Sequence, residues 1–207
     1  MNRIFEKRVV PAAIVETVDS ALSLAEAMLA GGMDIIEITF RTEGAAKAIK
    51  AVSDKFPEML VGAGTVLTRD QLECAVDSGI RFAVAPGLNA KLVEKSGEFG
   101  VPFIPGVVTP SEIEAAMALG LDLLKFFPAE AMGGAATLKA LAGPYAHTGV
   151  RFVPTGGISL NNAANYLDLK VVAAVGGSWM IAPQLIKESN WREITRLCSE
   201  SLSLSAS

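Results

Sequence analysis

One pattern recurs along the chain: a short apolar run, a loop rich in glycine, proline and threonine, then a helical stretch closed by glycine. The apolar runs are Val9–Ile14, Ile35–Phe40, Met59–Gly64, Phe82–Ala85, Pro102–Pro105, Leu123–Phe127, Phe152–Thr155 and Val171–Val175. Runs that stay apolar, rather than alternating with polar residues, suit parallel strands covered on both faces. Between them, Thr68-Arg69-Asp70-Gln71 and Thr109-Pro110-Ser111-Glu112 read as capping boxes, the second with proline at the first helical position. Ser159 is expected to cap a helix beginning near Leu160, and Gly31, Gly79, Gly100 and Gly120 to end helices as left-handed residues. Eight strands alternating with helices over 207 residues predict an α/β fold, a single (β/α)8 TIM barrel spanning 1–207. A short N-terminal helix, a C-terminal helix and a frayed tail, Ser201–Ser207, complete it. An open doubly wound sheet is the competing architecture, but no Gly-x-Gly-x-x-Gly follows the first run.

Composition narrows the chemistry. The net charge is −4 with no basic cluster, which argues against nucleic acid as a partner. No apolar run reaches the ~18 residues that span a bilayer, and the opening residues do not read as a signal peptide, so no membrane partner is expected. Two distant cysteines, Cys74 and Cys198, suit reduced thiols in a cytoplasmic enzyme. His147, in a loop-like Gly143–Gly149 segment, is the chain's one histidine. Ser-His and Cys-His schemes and a His-rich metal site are therefore disfavoured, and neither metal nor cofactor is expected. Chemistry must come from lysine, carboxylates, hydroxyls and backbone.

Barrel enzymes place such groups at the C-terminal ends of their strands. Alternation along the second run puts Glu37, Thr39 and Arg41 on one face. A buried carboxylate there is either paired, with Arg41 as the obvious partner, or used chemically. In the sixth run Lys125 stands among Leu123, Leu124, Phe126 and Phe127. Desolvation disfavours an ammonium, and a neutral amine is what a Schiff-base nucleophile requires. A lysine whose stem lines the strand while its head snorkels to water is the structural alternative. Thr155-Gly156-Gly157-Ile158-Ser159 and Val175-Gly176-Gly177-Ser178-Trp179 follow the last two runs, where barrels commonly bind phosphate through glycine amides. Each could equally be a tight turn. The loops Gly62–Thr65, Ala85–Leu88 and Ile104–Gly106 should line the same mouth, with Thr65 a donor to a substrate carboxylate and Trp179 a packing residue.

With these residues in place, the sequence resembles the 2-keto-3-deoxy-6-phosphogluconate and 4-hydroxy-2-oxoglutarate aldolases. The resemblance runs from Val9 to Trp179 and rests on seven motifs in the family's order. These are Glu37–Thr42, Val61–Val66, Ala85–Leu88, Ile104–Val107, Lys125–Glu130, Pro154–Ser159 and Gly176–Trp179. It implies Lys125 as the Schiff-base lysine and Glu37 as the general acid/base. Arg41 and Thr65 would hold the pyruvate carboxylate, and Pro86 and Phe127 would wall the pocket. Gly156, Gly157, Gly177 and Ser178 would bind phosphate, with Thr155 near the substrate hydroxyls. It also implies a keto-acid sugar phosphate as substrate, no metal, a homotrimer, and a cytoplasmic pathway of sugar-acid breakdown of the Entner–Doudoroff kind. Where some relatives carry an arginine at the end of the first strand, this chain has Ile14, leaving phosphate to backbone amides and Ser178. A phosphogalactonate aldolase, an isomerase using Glu37 alone and a non-catalytic sugar-phosphate binder are the competing functions.

Overall fold

The computed structural model describes residues 2–204. Its strands are β1 (Val9–Ala13), β2 (Ile35–Thr39), β3 (Leu60–Gly64), β4 (Phe82–Val84), β5 (Phe103–Ile104), β6 (Gly106–Val107), β7 (Leu123–Phe126), β8 (Arg151–Phe152) and β9 (Val175–Gly177). The helices are α1 (Asn2–Lys7), α2 (Val18–Ala30), α3 (Ala45–Lys55), α4 (Arg69–Asp77), α5 (Ala90–Glu98), α6 (Pro110–Ala118), α7 (Gly134–Ala142), α8 (Ala163–Leu167), α9 (Pro183–Lys187) and α10 (Trp191–Ser203). Six strands form one parallel sheet in the order β5-β4-β3-β2-β1-β9, and three form a second in the order β6-β7-β8. Only Pro105 separates β5 from β6, and parallel bridges Phe152↔Val172 and Thr155↔Gly176 link the second sheet to the segment that carries β9. The expected α/β fold with helices alternating between parallel strands is present.

Alternation along each strand sorts side chains into two clusters. Val10, Ile35, Phe82, Val84, Ile104, Leu123 and Val153 share a narrow cluster enclosed by the strands, and Ile4 of α1 joins it with no exposed surface. Val9, Ile36, Ile38, Ala83, Leu124 and Phe126 belong to the wide layer beneath the helices, with Leu24, Met28 and Ile49. Burying each large apolar side chain contributes about 1.5–3 kcal/mol. Because Ile35 and Leu123 face inward, the period of two turns Glu37 and Lys125 inward as well. That is how the fold carries charged groups into its interior.

Both capping boxes form. Thr68 accepts from the Gln71 N–H while Gln71 accepts from the Thr68 N–H, and Thr109 and Glu112 do the same for α6. Gly79, Gly100 and Gly120 are left-handed as expected.

Five details depart from expectation. The left-handed residue after α2 is Gly32; Gly31 keeps a negative φ, and glycine is needed there because a Cβ would come within 2.8 Å of Cys198 Cβ as α10 packs on α2. The fifth apolar run is split at Pro105, which lacks an N–H to continue the ladder, though its carbonyl accepts from Lys125 N–H at 2.8 Å. The eighth run reaches its strand late. Ala173 N–H bonds Phe152 O at 2.9 Å, and only from Val175 does the chain pair with β1. Ser159 does not cap a helix: its N–H is taken by Asn162 Oδ1 at 2.8 Å, and α8 starts at Ala163. The tail is less frayed than expected, since α10 continues to Ser203 and Ser201 is fully buried. Ser205, Ala206 and Ser207 lie outside the described residues.

Candidate active site

A cavity of about 280 Å³ opens at the C-terminal ends of the strands. Its lining includes Glu37, Arg41, Thr65, Pro86, Lys125, Phe127, Thr155, Gly156, Gly157, Gly177 and Ser178; of the three further loops expected at the mouth, Gly62–Thr65 and Ala85–Leu88 contribute only Thr65 and Pro86, and Ile104–Gly106 contributes none. Polar groups at the floor (Glu37, Thr39, Lys125, Thr155) are buried, whereas Arg41, Pro86, Gly157 and Ser178 stand exposed at the rim. A ligand would thus be gripped at one end in a desolvated setting and reach solvent at the other.

The floor holds a charged pair. Lys125 Nζ lies 3.6 Å from Glu37 Oε1, with the two side chains 9% and 5% exposed. The expected Glu37–Arg41 pair is not formed: the ion pair is to Lys125, which strand packing brings alongside, and Arg41 remains exposed at the rim. Lys125 Nζ also stands 5.2 Å from the centroid of the Phe127 ring, a cation–π distance. The lysine therefore does not snorkel; its head is held inside.

Small residues make this possible. In register, Glu37 stands between Ala12 on β1 and Gly62 on β3, and Lys125 stands beside Gly106 on β6. At Gly64, an added Cβ would overlap the Glu37 carboxyl group, and at Gly106 it would overlap the Pro86 carbonyl. Glycine at these places is space for a carboxylate and for a wall.

Thr65 is the one pocket residue with a left-handed backbone that is not glycine, at φ 55°. A β-branched residue in that region is strained, a cost that structures tolerate where a side chain must be aimed. Thr39 donates to Ala13 O at 3.0 Å and Thr155 to Val153 O at 3.3 Å, so both hydroxyls are anchored and offer lone pairs inward. The last two glycine loops meet across the cavity, where Thr155↔Gly176 bridges them, and both Gly156 (φ 101°) and Gly157 (φ 78°) are left-handed.

Ala12, Ile158 and Pro183 complete the lining and were not singled out from the sequence; Ile14, noted there for its missing arginine, lines it too. Ala12 could have been found from strand pairing, as the small neighbour that a buried Glu37 needs. Trp179 lies outside the lining and donates from Nε1 to Ser201 Oγ at 2.9 Å, the packing role expected of it. Cys198 is buried and its thiol is pushed up to about 12 by that burial, leaving it a weak nucleophile. Among the described residues no group of three or more histidine, cysteine, aspartate or glutamate side chains could hold a metal, and no helix is long and apolar enough to cross a membrane.

Known proteins are similar to this one along almost the whole chain. Residues 1–197 match the family described as KDPG and KHG aldolase. A 2-dehydro-3-deoxy-phosphogluconate aldolase of Treponema pallidum (strain Nichols) is 46% identical over 197 residues, covering 95% of this chain and 93% of that protein. The KHG/KDPG aldolase of Escherichia coli (strain K12) is 44% identical over 194 residues, covering 94% of this chain and 90% of that protein. The crystal structure of a KDPG aldolase from Legionella pneumophila, holding pyruvate captured at low pH as a covalent carbinolamine intermediate, is similar with a TM-score of 0.91. It is 42% identical and covers 95% of each chain. On a match of this length and identity, the chain belongs to the KDPG and KHG aldolase family.

Proposed function

We propose that this protein is a class I aldolase. It cleaves 2-keto-3-deoxy-6-phosphogluconate to pyruvate and glyceraldehyde 3-phosphate, and 4-hydroxy-2-oxoglutarate to pyruvate and glyoxylate. The observation that carries this reading is the buried Lys125–Glu37 pair, 3.6 Å apart, at the floor of the cavity. The double name of the Escherichia coli relative supports the second substrate.

Glu37 takes a proton from the Lys125 ammonium, the free amine attacks the C2 ketone, and Glu37 gives the proton back to the hydroxyl that leaves the carbinolamine as water, giving an iminium. Glu37 takes the proton of the C4 hydroxyl; the C3–C4 bond breaks, and its electron pair enters the iminium to form an enamine. The aldehyde leaves. Glu37 returns a proton to C3, and water hydrolyses the iminium to free pyruvate and restore the Lys125 ammonium. Arg41 and Thr65 hold the carboxylate, Pro86 and Phe127 confine the pyruvyl carbons, and the Thr155 hydroxyl meets the substrate hydroxyls. Phosphate lies against Gly156, Gly157, Gly177 and Ser178. Binding it there orients the scissile bond, so a group remote from the chemistry raises turnover.

The fold that presents these groups is a single-domain closed (β/α)8 barrel. The β5–Pro105–β6 continuity supports closure at one junction, and the Phe152↔Val172 and Thr155↔Gly176 bridges support it at the other. The protein acts as a homotrimer in the cytoplasm, which sedimentation and fractionation test.

Borohydride reduction with pyruvate, followed by peptide mapping, tests the chemistry. Inactivation with a reduced pyruvyl adduct on Lys125 is expected, and Lys125→Met should abolish both adduct and cleavage. An adduct on another lysine, or none, refutes the assignment and returns the isomerase and binder readings.

A further inference from the structure

A carboxylate stands beside the loop to which phosphate is assigned, and nothing in the reaction uses it. Glu130 follows Lys125-Phe126-Phe127-Pro128-Ala129 at the start of a short 3-10 turn. The backbone of this segment carries the first anion loop: Ala129 N–H donates to Thr155 O at 2.8 Å and Glu130 N–H to Gly156 O at 3.0 Å. The fit is tight enough that a Cβ on Gly157 would come within 2.7 Å of Glu130 Cβ and Cγ. Among the described residues no basic side chain forms an ion pair with Glu130. Its partner is the hydroxyl of Tyr166, which donates to Glu130 Oε1 from a side chain only 1% exposed on α8.

An unpaired carboxylate so close to an anion loop repels the ligand that the loop is there to hold. Tyr166 addresses this in two ways. Its hydroxyl directs the Glu130 carboxylate toward Gly134, whose Cβ position lies 3.3 Å from Oε1 and 3.5 Å from the Tyr166 hydroxyl. It also ties the segment under Gly156–Gly157 to a buried ring that cannot move. Burial first, then the bond to Glu130, raises the Tyr166 hydroxyl above the ordinary phenol range, so it stays protonated and remains a donor.

We propose that Tyr166 is a positioning residue for phosphorylated substrates: through Glu130 it holds the Gly156–Gly157 loop in its anion-binding form and keeps the neighbouring negative charge turned away. This rests on the phosphate assignment made above and extends it to a residue that touches no substrate.

The test compares Tyr166→Phe, Glu130→Gln and the double variant with the unaltered enzyme. The readouts are steady-state kinetics on the phosphorylated substrate and on 4-hydroxy-2-oxoglutarate, and inhibition by inorganic phosphate. Tyr166→Phe should raise KM for the phosphorylated substrate and weaken phosphate inhibition together, by about 10-fold, the scale of one charge-assisted hydrogen bond. Turnover of 4-hydroxy-2-oxoglutarate should stay within about 2-fold, which also reports that the variant is folded. Glu130→Gln keeps an acceptor for Tyr166 and should retain the original KM. The double variant should recover part of the loss, because the repelling charge is gone. Equal damage to both substrates would mean a merely structural residue and overturn the proposal, as would an unchanged KM in Tyr166→Phe. Failure of inorganic phosphate to compete in the unaltered enzyme is a separate outcome, which removes the phosphate assignment itself and this proposal with it.

Discussion

Gly64→Ala isolates the geometry of the acid/base from its chemistry. A Cβ at this position would lie 2.7 Å from both Cγ and Cδ of Glu37 and closer still to Oε1. Ordinary carbon contacts are about 3.5–4.0 Å, so the carboxyl group must retreat by roughly 1 Å. With a side chain only 5% exposed, the room it has to retreat into is the cavity it lines, away from its present place beside Lys125. A catalytic group displaced by about 1 Å costs roughly 100-fold in rate, or about 2.7 kcal/mol of transition-state stabilisation. The three atoms nearest that Cβ all belong to Glu37, so Lys125 feels the change through its ion pair rather than by a clash. Stopped-flow or coupled assays of aldol cleavage should therefore show kcat reduced about 100-fold. Borohydride trapping of pyruvate on Lys125 should persist, separating proton transfer from imine formation. A Gly64→Ala enzyme with undiminished kcat would refute the reasoning, because Glu37 would then be working from a position that this packing forbids.

Three further outcomes are expected. Glu37→Gln should slow cleavage by roughly 10²–10⁴-fold while still allowing an adduct with pyruvate, checked by steady-state kinetics and mass spectrometry; normal turnover would reduce Glu37 to a structural partner of Lys125. Ser178→Asp should raise KM for the phosphorylated substrate far more than for 4-hydroxy-2-oxoglutarate, since only the former brings an anion to the rim; equal effects would move the phosphate elsewhere. Glu112, whose carboxyl is held below its ordinary 4.5 first by the Val108 N–H and then by Thr109, with burial opposing, contributes stability that is complete above that value and is lost as pH falls through the lower folded one. Thermal melts of Glu112→Gln and the unaltered protein should therefore converge progressively as the pH falls below 4.5, and parallel curves throughout that fall would refute the linkage.

Much of the site was legible because strand periodicity is rigid. Once Ile36 and Ile38 are assigned to the helix side, Glu37 has nowhere to point but inward, and the same holds for Lys125 between Leu124 and Phe126. The partner of Glu37 was not legible. Arg41 is near in sequence, whereas Lys125 becomes a neighbour only when two separate strands are brought together. Helix starts were read correctly where both halves of a capping box were present, at Thr68 and Thr109. At Ser159 a single hydroxyl was a poor guide: Asn162 Oδ1 takes the Ser159 N–H in a loop, and α8 begins at Ala163 with no side-chain cap. The Tyr166–Glu130 contact carried no sequence signal, since it depends on how a five-residue helix lies over a loop.

The pairing of β1 with β9 has a consequence for a chain made from its N-terminus. Val9, Val10 and Pro11 match Val175, Gly176 and Gly177, so one margin of the first strand stays without its mate until nearly everything else has been synthesised. A bare strand margin is a template for wrong partners, among them another nascent copy on the same message. The groups left waiting there are Arg8 O and, by alternation, the N–H and C=O of Val10, whereas Pro11 faces β2. Those groups find their partners only when β9 arrives, so the strand that is made first is completed last.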